Sequence, residues 1–207
     1  LGDVNAMHMD DVYIKLTLTT VYGKLAGDPA APLVLGLHGW SRRNGWATWE
    51  PLMAPLAEAG YCVVSVDMPG WGASAPIDSL PLSGTRAVSV VIDIMNGLQK
   101  TTAVLMGKSW GGGVAINTAV AYPERIRGLI LTAPALRDLD QLERLTQPVL
   151  LTWAEDDPVI PVAMAEKYIT AVPGLTYIGY AEGGHSAAQY NTQDFAPTAV
   201  DFLNQLQ

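Results

Sequence analysis

The chain has 207 residues, with 12 Lys and Arg against 20 Asp and Glu, a formal charge of −8, and 49% hydrophobic residues. That length and apolar share suffice to bury a core as one domain and exclude a disordered chain. The acidic balance, with basic residues scattered rather than clustered, argues against a nucleic-acid partner, because phosphate backbones are bound by grouped Lys and Arg.

The first ordered signal is DVYIKLTLTTVYGKLAG (11–27), whose alternation and β-branched residues predict two antiparallel strands meeting near Thr19–Val21. PLVLGLHG (32–39) then reads as a strand buried on both faces. A regular rhythm follows: helix 48–60, strand 61–67, loop 69–76, helix 85–99, strand 102–109, helix 112–123 and strand 126–134. A short polar helix over 137–145, strand 148–154, helix 162–172, strand 175–181 and a last helix over 194–206 complete it. Alternating strands and helices predict right-handed crossovers and a mostly parallel sheet. In such sheets ligands gather at the carboxyl ends of the strands, so chemistry-bearing residues belong just after them.

Ser109 lies at such a position, inside Gly107-Lys108-Ser109-Trp110-Gly111, a G-x-S-x-G pattern. A strand-to-helix elbow there exposes Oγ, and the glycines relieve crowding where strand and helix meet. The N–H of Trp110 opens the following helix and points toward a developing oxyanion. His185, in AEGGHSAA after the last predicted strand, is the candidate general base, since imidazole titrates near neutrality. Of the other two histidines, His8 lies near the start and His38 closes an earlier strand, where it reads as structural. After strand 148–154, AEDDPVIP offers Glu155, Asp156 and Asp157 as the acid that fixes the imidazole's tautomer. The N–H of Trp40, after His38-Gly39, is the candidate second oxyanion donor.

Five post-strand stretches together resemble the α/β-hydrolase superfamily: LHGW, DMPGWGASAP, GKSWGG, EDDPVIP and GGHS. The resemblance covers the chain from about residue 11 and implies a mostly parallel sheet of about eight strands flanked by helices. It also selects Asp157, four residues before Pro161, as the catalytic acid. Asp156 remains the alternative, because Ala154 stands where members often carry glycine. The stretch around HGW and DMPGWGASAP is similar to the epoxide hydrolase and haloalkane dehalogenase lineage. Those enzymes carry Asp at the nucleophile position, where this chain has Ser109. The segment between Pro134 and Pro148 is too short for the helical cap that many relatives insert.

The resemblance therefore implies a capless serine hydrolase that forms an acyl-enzyme with Ser109, Asp157 and His185. Its oxyanion donors are Trp40 and Trp110, and its substrate is a small apolar or aromatic ester. Ser41, Trp71 and Trp153 are candidate pocket residues, Arg42 and Arg43 read as a solvated loop, and Lys108 has no assigned role. Thioester, amide or carbon–carbon bond hydrolysis would use the same triad, and a hydrolase-like receptor could retain it. No cofactor or metal is called for, and the expected partners are an acyl substrate and water. The lone Cys62 forms no internal disulfide and suits a reducing, cytoplasmic setting. No apolar run approaches the ~18 residues of a membrane span. LGDVNAMHM lacks the pattern of a secretory signal. Residues 1–10 read as an extension and 11–207 as one domain, monomeric or a small homo-oligomer.

Overall fold

A computed structural model describes residues 8–206. Its centre is an eight-stranded sheet in the order β1-β2-β4-β3-β5-β6-β7-β8. The strands are β1 (Asp10–Lys15), β2 (Thr20–Ala26), β3 (Leu33–Leu37), β4 (Cys62–Val66), β5 (Ala103–Lys108), β6 (Ile126–Thr132), β7 (Val149–Ala154) and β8 (Thr176–Tyr180). β1 and β2 pair antiparallel, β2 joins β4 antiparallel, and every pair from β4 to β8 is parallel. β1 takes in Asp10, one residue of the expected extension, and its turn into β2 closes with Leu16 N–H donating to Thr19 O at 2.8 Å.

The helices are α1 (Glu50–Glu58), α2 (Thr85–Gly97), α3 (Trp110–Ala121), α4 (Ala165–Ala171), α5 (Ala187–Tyr190) and α6 (Thr192–Asn204). They cover both faces of the sheet, which explains why the central strands read as continuous apolar runs. On one face Leu35, Leu105, Leu129 and Leu151 pack with Val91 and Met95 of α2 and Val114 and Ile116 of α3. On the other, Val34, Val104, Ile130 and Leu150 pack with Leu52 and Leu56 of α1 and Phe195 and Phe202 of α6. The period-2 alternation of side chains sends odd and even residues of each strand to different cores.

Helix starts differ from the sequence expectations in informative ways. α3 begins at Trp110, immediately after the strand, because its glycines let it press against the sheet. The expected helix 162–172 opens as a 3₁₀ turn, Val162–Met164, before α4. Residues 184–190 form a 3₁₀ turn and α5, which no periodicity announced. Only a 3₁₀ turn, Leu139–Arg144, stands between β6 and β7, in keeping with a fold that lacks a cap there. Among the described residues no helix is long and apolar enough to cross a membrane.

Candidate active site

Ser109 follows β5 with φ 52° and ψ −120°, a left-handed conformation that side chains rarely adopt. It is held there by Ser109 N–H donating to Thr132 O at 3.0 Å, while its own carbonyl accepts from Gly113 N and Ala135 N at 3.1 and 2.8 Å. The elbow has no room for side chains on its inner surface. A Cβ on Gly111 would lie 2.5 Å from the carbonyl oxygens of both Leu37 and His38, and one on Gly107 2.6 Å from Gly111 O. Backbone walls of this kind cannot move aside, so the glycines are geometric necessities.

β7 and β8 bring the other two groups together. Asp157 Oδ2 lies 2.8 Å from His185 Nδ1, with the carboxylate side chain 0% exposed and the imidazole 18%. A carboxylate only accepts, so Nδ1 carries the hydrogen of this bond, and in the neutral imidazole Nε2 is the nitrogen with the lone pair. His185 Nε2 is buried and has no hydrogen-bond partner among the described residues. Asp157 Oδ1 accepts from Val159 N and Ile160 N at 2.8 and 3.0 Å, fixing the carboxylate in its own loop. Asp156 does different work: its oxygens accept from Gly184 N at 2.7 Å and Gly183 N at 3.4 Å, just before the histidine.

The Ser109 and His185 segments meet directly. Lys108 Nζ donates to Ser186 Oγ at 2.6 Å, so the immediate neighbours of serine and histidine are bonded to each other. Burial pushes the Lys108 amine below the ordinary lysine range, and the Asp157 carboxylate pulls it partly back up. On the other side of the elbow, a Cβ on Gly39 would come within 3.5 Å of Ser109 Cβ, so the 39–40 backbone runs beside the serine. Trp110 is the first residue of α3, and its N–H is one of the donors a helix start leaves without an intrahelical acceptor.

His38 is fully buried and takes a structural part. Its Nδ1 donates to Gly39 O at 2.7 Å and its Nε2 accepts from Met68 N at 3.0 Å, joining the loops after β3 and β4. Burial holds its imidazole below the usual value. Asp67, which the sequence reading did not single out, performs a similar task. It accepts from Trp46 N at 2.7 Å and Ala73 N at 2.9 Å. Its position at the end of β4, before PGWG, was the available signal.

The residues expected to line a pocket are placed differently. Trp153 is 0% exposed and packs edge-on against Tyr168, its Nε1 donating to Ile160 O at 2.9 Å. Trp71 is also buried and ties the neighbouring loop by donating to the carbonyls of Trp40 and Ser41 at 3.1 and 3.2 Å. Ser41 is exposed, and Arg42 is occupied by Gly70 O at 2.7 Å while its guanidinium stacks over Trp71. The cavity itself, about 670 Å³, is walled by Trp40, Trp110, Val114, Leu136, Ile160 and Met164, with Arg137 also on its lining. The lining residues Trp40 and Trp110 pack with the buried Trp71 in a cluster whose ring centroids lie 5.1–5.2 Å apart. Proximity to a strand end did not separate Trp153, inside β7, from Trp40 in the loop after β3. Among the described residues there is no group of His, Cys, Asp and Glu arranged to hold a metal ion.

Comparison with known proteins identifies the fold family. A model of the alpha/beta hydrolase fold family matches residues 32–145. This chain belongs to that family. A 2-hydroxy-6-oxononadienedioate/2-hydroxy-6-oxononatrienedioate hydrolase of Cupriavidus pinatubonensis is 34% identical, over 84% of this chain and 87% of its own length. The pig bifunctional epoxide hydrolase 2 is 32% identical over 61% of this chain, a match that spans 22% of that enzyme. Several of the curated relatives are matched over only a fifth to a third of their length, 22% and 33% for the first two. A solved structure described as a predicted CIB-like hydrolase from Thermoplasma acidophilum superposes with a TM-score of 0.86 at 27% identity. That superposition covers 97% of this α/β hydrolase and all of the other chain.

Proposed function

We propose that this α/β hydrolase is a serine hydrolase that cleaves small apolar or aromatic carboxylic esters through an acyl-enzyme. The observation that carries the reading is the buried Asp157–His185 pair, 2.8 Å apart, on a turn bonded to the residue beside the strained Ser109. Ser109 Oγ attacks the acyl carbonyl as His185 Nε2 takes its proton, and Asp157 stabilises the imidazolium through Nδ1–H. The backbone N–H groups of Trp40 and Trp110 receive the oxyanion. Such donors are each worth about 10²–10³ in turnover. Collapse expels the alcohol, which receives the proton from Nε2. Water then attacks the acyl-enzyme by the same route and regenerates Ser109. The apolar cavity walls supply the surface for the acyl group.

A second reading, cleavage of a carbon–carbon bond beside a carbonyl, is favoured by the Cupriavidus relative, aligned over most of both chains. Arg137, exposed at the cavity and with no ion-pair partner among the described residues, is suited to a carboxylate on such a substrate. A fluorophosphonate probe should label the intact chain and fail on Ser109→Ala; a folded protein that resists labelling would rule out the activated serine. p-Nitrophenyl esters of graded chain length, set beside a ring-fission diketone, separate the two readings by relative kcat/KM.

A further inference from the structure

Lys108 takes no part in the chemistry just described, yet its surroundings are unusual. It is the last residue of β5 and shares a sheet face with Met106, so it emerges on the side covered by α1, α5 and α6 rather than on the cavity side. Withdrawing an amine from water is costly unless a partner compensates. Here the partners are the Ser186 hydroxyl at 2.6 Å and the field of Asp157, whose side chain is wholly buried.

The turn that Lys108 reaches is weakly self-supporting. Residues 184–186 form a single 3₁₀ turn interrupted by non-helical angles at His185 itself (φ −79°, ψ 20°). One internal bond, Ser186 N–H to Gly183 O at 3.0 Å, braces it. Asp156 grips its leading side through Gly184 N–H, and Lys108 grips its trailing side through Ser186. Nε2 has no partner of its own, so the direction in which it points is set by these anchors and by the Nδ1 bond.

We infer that Lys108 is a positioning residue: its bond to Ser186 fastens the His185 turn to the strand end that presents Ser109. It thereby keeps base and nucleophile in register. This inference rests on the serine hydrolase reading for its kinetic consequence, though the contact itself can be tested separately.

The experiment compares Lys108→Met, Ser186→Ala, their double variant and Ser186→Thr in the full chain, with a p-nitrophenyl ester. Methionine preserves length and apolar bulk, so folding is retained and verified by melting temperature. Lys108→Met should lower kcat by about 10- to 100-fold with KM changed less than about 2-fold, since misplaced groups lose rate more than binding. Ser186→Ala should lose about 10-fold, the double variant no more than Lys108→Met alone, and Ser186→Thr should regain most of what alanine loses. The exchange of the His185 Nδ1 proton with water, followed by NMR, should quicken in Lys108→Met and Ser186→Ala and slow again in Ser186→Thr. Unchanged kcat in Lys108→Met, losses confined to KM or melting temperature, or fully additive losses would overturn the inference. Should the unmutated chain turn over no ester, the ester reading fails, and the Nδ1 proton then decides the tether by itself.

Discussion

Ser109→Gly should abolish turnover and yet leave a more stable protein than Ser109→Ala. At φ 52° and ψ −120° an L-residue is strained, while glycine is not. Such strain is worth about 1–3 kcal/mol. Glycine also loses more chain entropy on folding, which offsets about 0.5–1 kcal/mol of the gain. Alanine removes the same hydroxyl but retains Cβ and therefore the strain. The glycine variant should exceed the alanine variant by about 1–2 kcal/mol, or about 2–8 °C in a chain of this size. Paired urea and thermal melts of the two inactive proteins measure the difference without interference from catalysis. An alanine variant equal to or more stable than the glycine variant would show that the elbow stores no more strain than the chain entropy that glycine costs, about 0.5–1 kcal/mol.

Asp157→Asn should reduce kcat by up to about 10⁴-fold by permitting the wrong imidazole tautomer. Asp156→Asn, which disturbs only the turn before His185, should cost far less; the reverse ranking in steady-state assays would reassign the acid. Because burial depresses the His38 imidazole, the unfolded chain takes up a proton that the folded chain refuses as pH falls below about 6.5. Stability is therefore full above that pH and declines on acidification. Melting temperature should fall more steeply from about pH 7 to 5 in the parent than in His38→Gln, and equal slopes would contradict this. Arg137→Ala should weaken kcat/KM by up to about 5-fold for acyl groups ending in a carboxylate, with neutral esters unaffected, as befits an exposed ion pair. Equal effects on both substrate sets would remove the guanidinium from recognition.

Fold and site were legible in the sequence to different depths. Strand runs such as VLLTWA were plain because helices on both faces make every position apolar, and their alternation with helices implied the parallel sheet. The rule that function gathers after parallel strands singled out Ser109, His185 and the Glu155–Asp157 cluster, and only the family resemblance favoured Asp157 within that cluster. Burial on both faces also hid something: it gives no sign of which face a residue occupies. Trp153, one residue from the strand end, sits under Tyr168 in the core and reaches the site only through Ile160 O. The Lys108–Ser186 contact joins residues 78 apart in sequence, and no local pattern announces such a pair. α5 escaped notice because four residues are too few for helical periodicity to emerge.

The Trp40–Trp71–Trp110 cluster has an optical consequence. Half of the molecule's six tryptophans lie within about 5 Å of one another, two of them, Trp40 and Trp110, on the cavity wall, with Trp71 and Trp110 nearly parallel at 21°. At such separations excitation passes freely among the rings, so a quencher or a change of polarity at exposed Trp40 is felt by all three. Trp49 and Trp153, sealed in the two cores, supply a steady background. Ligand entry should thus alter the protein's own ultraviolet emission, giving a binding signal that requires neither a label nor a reaction.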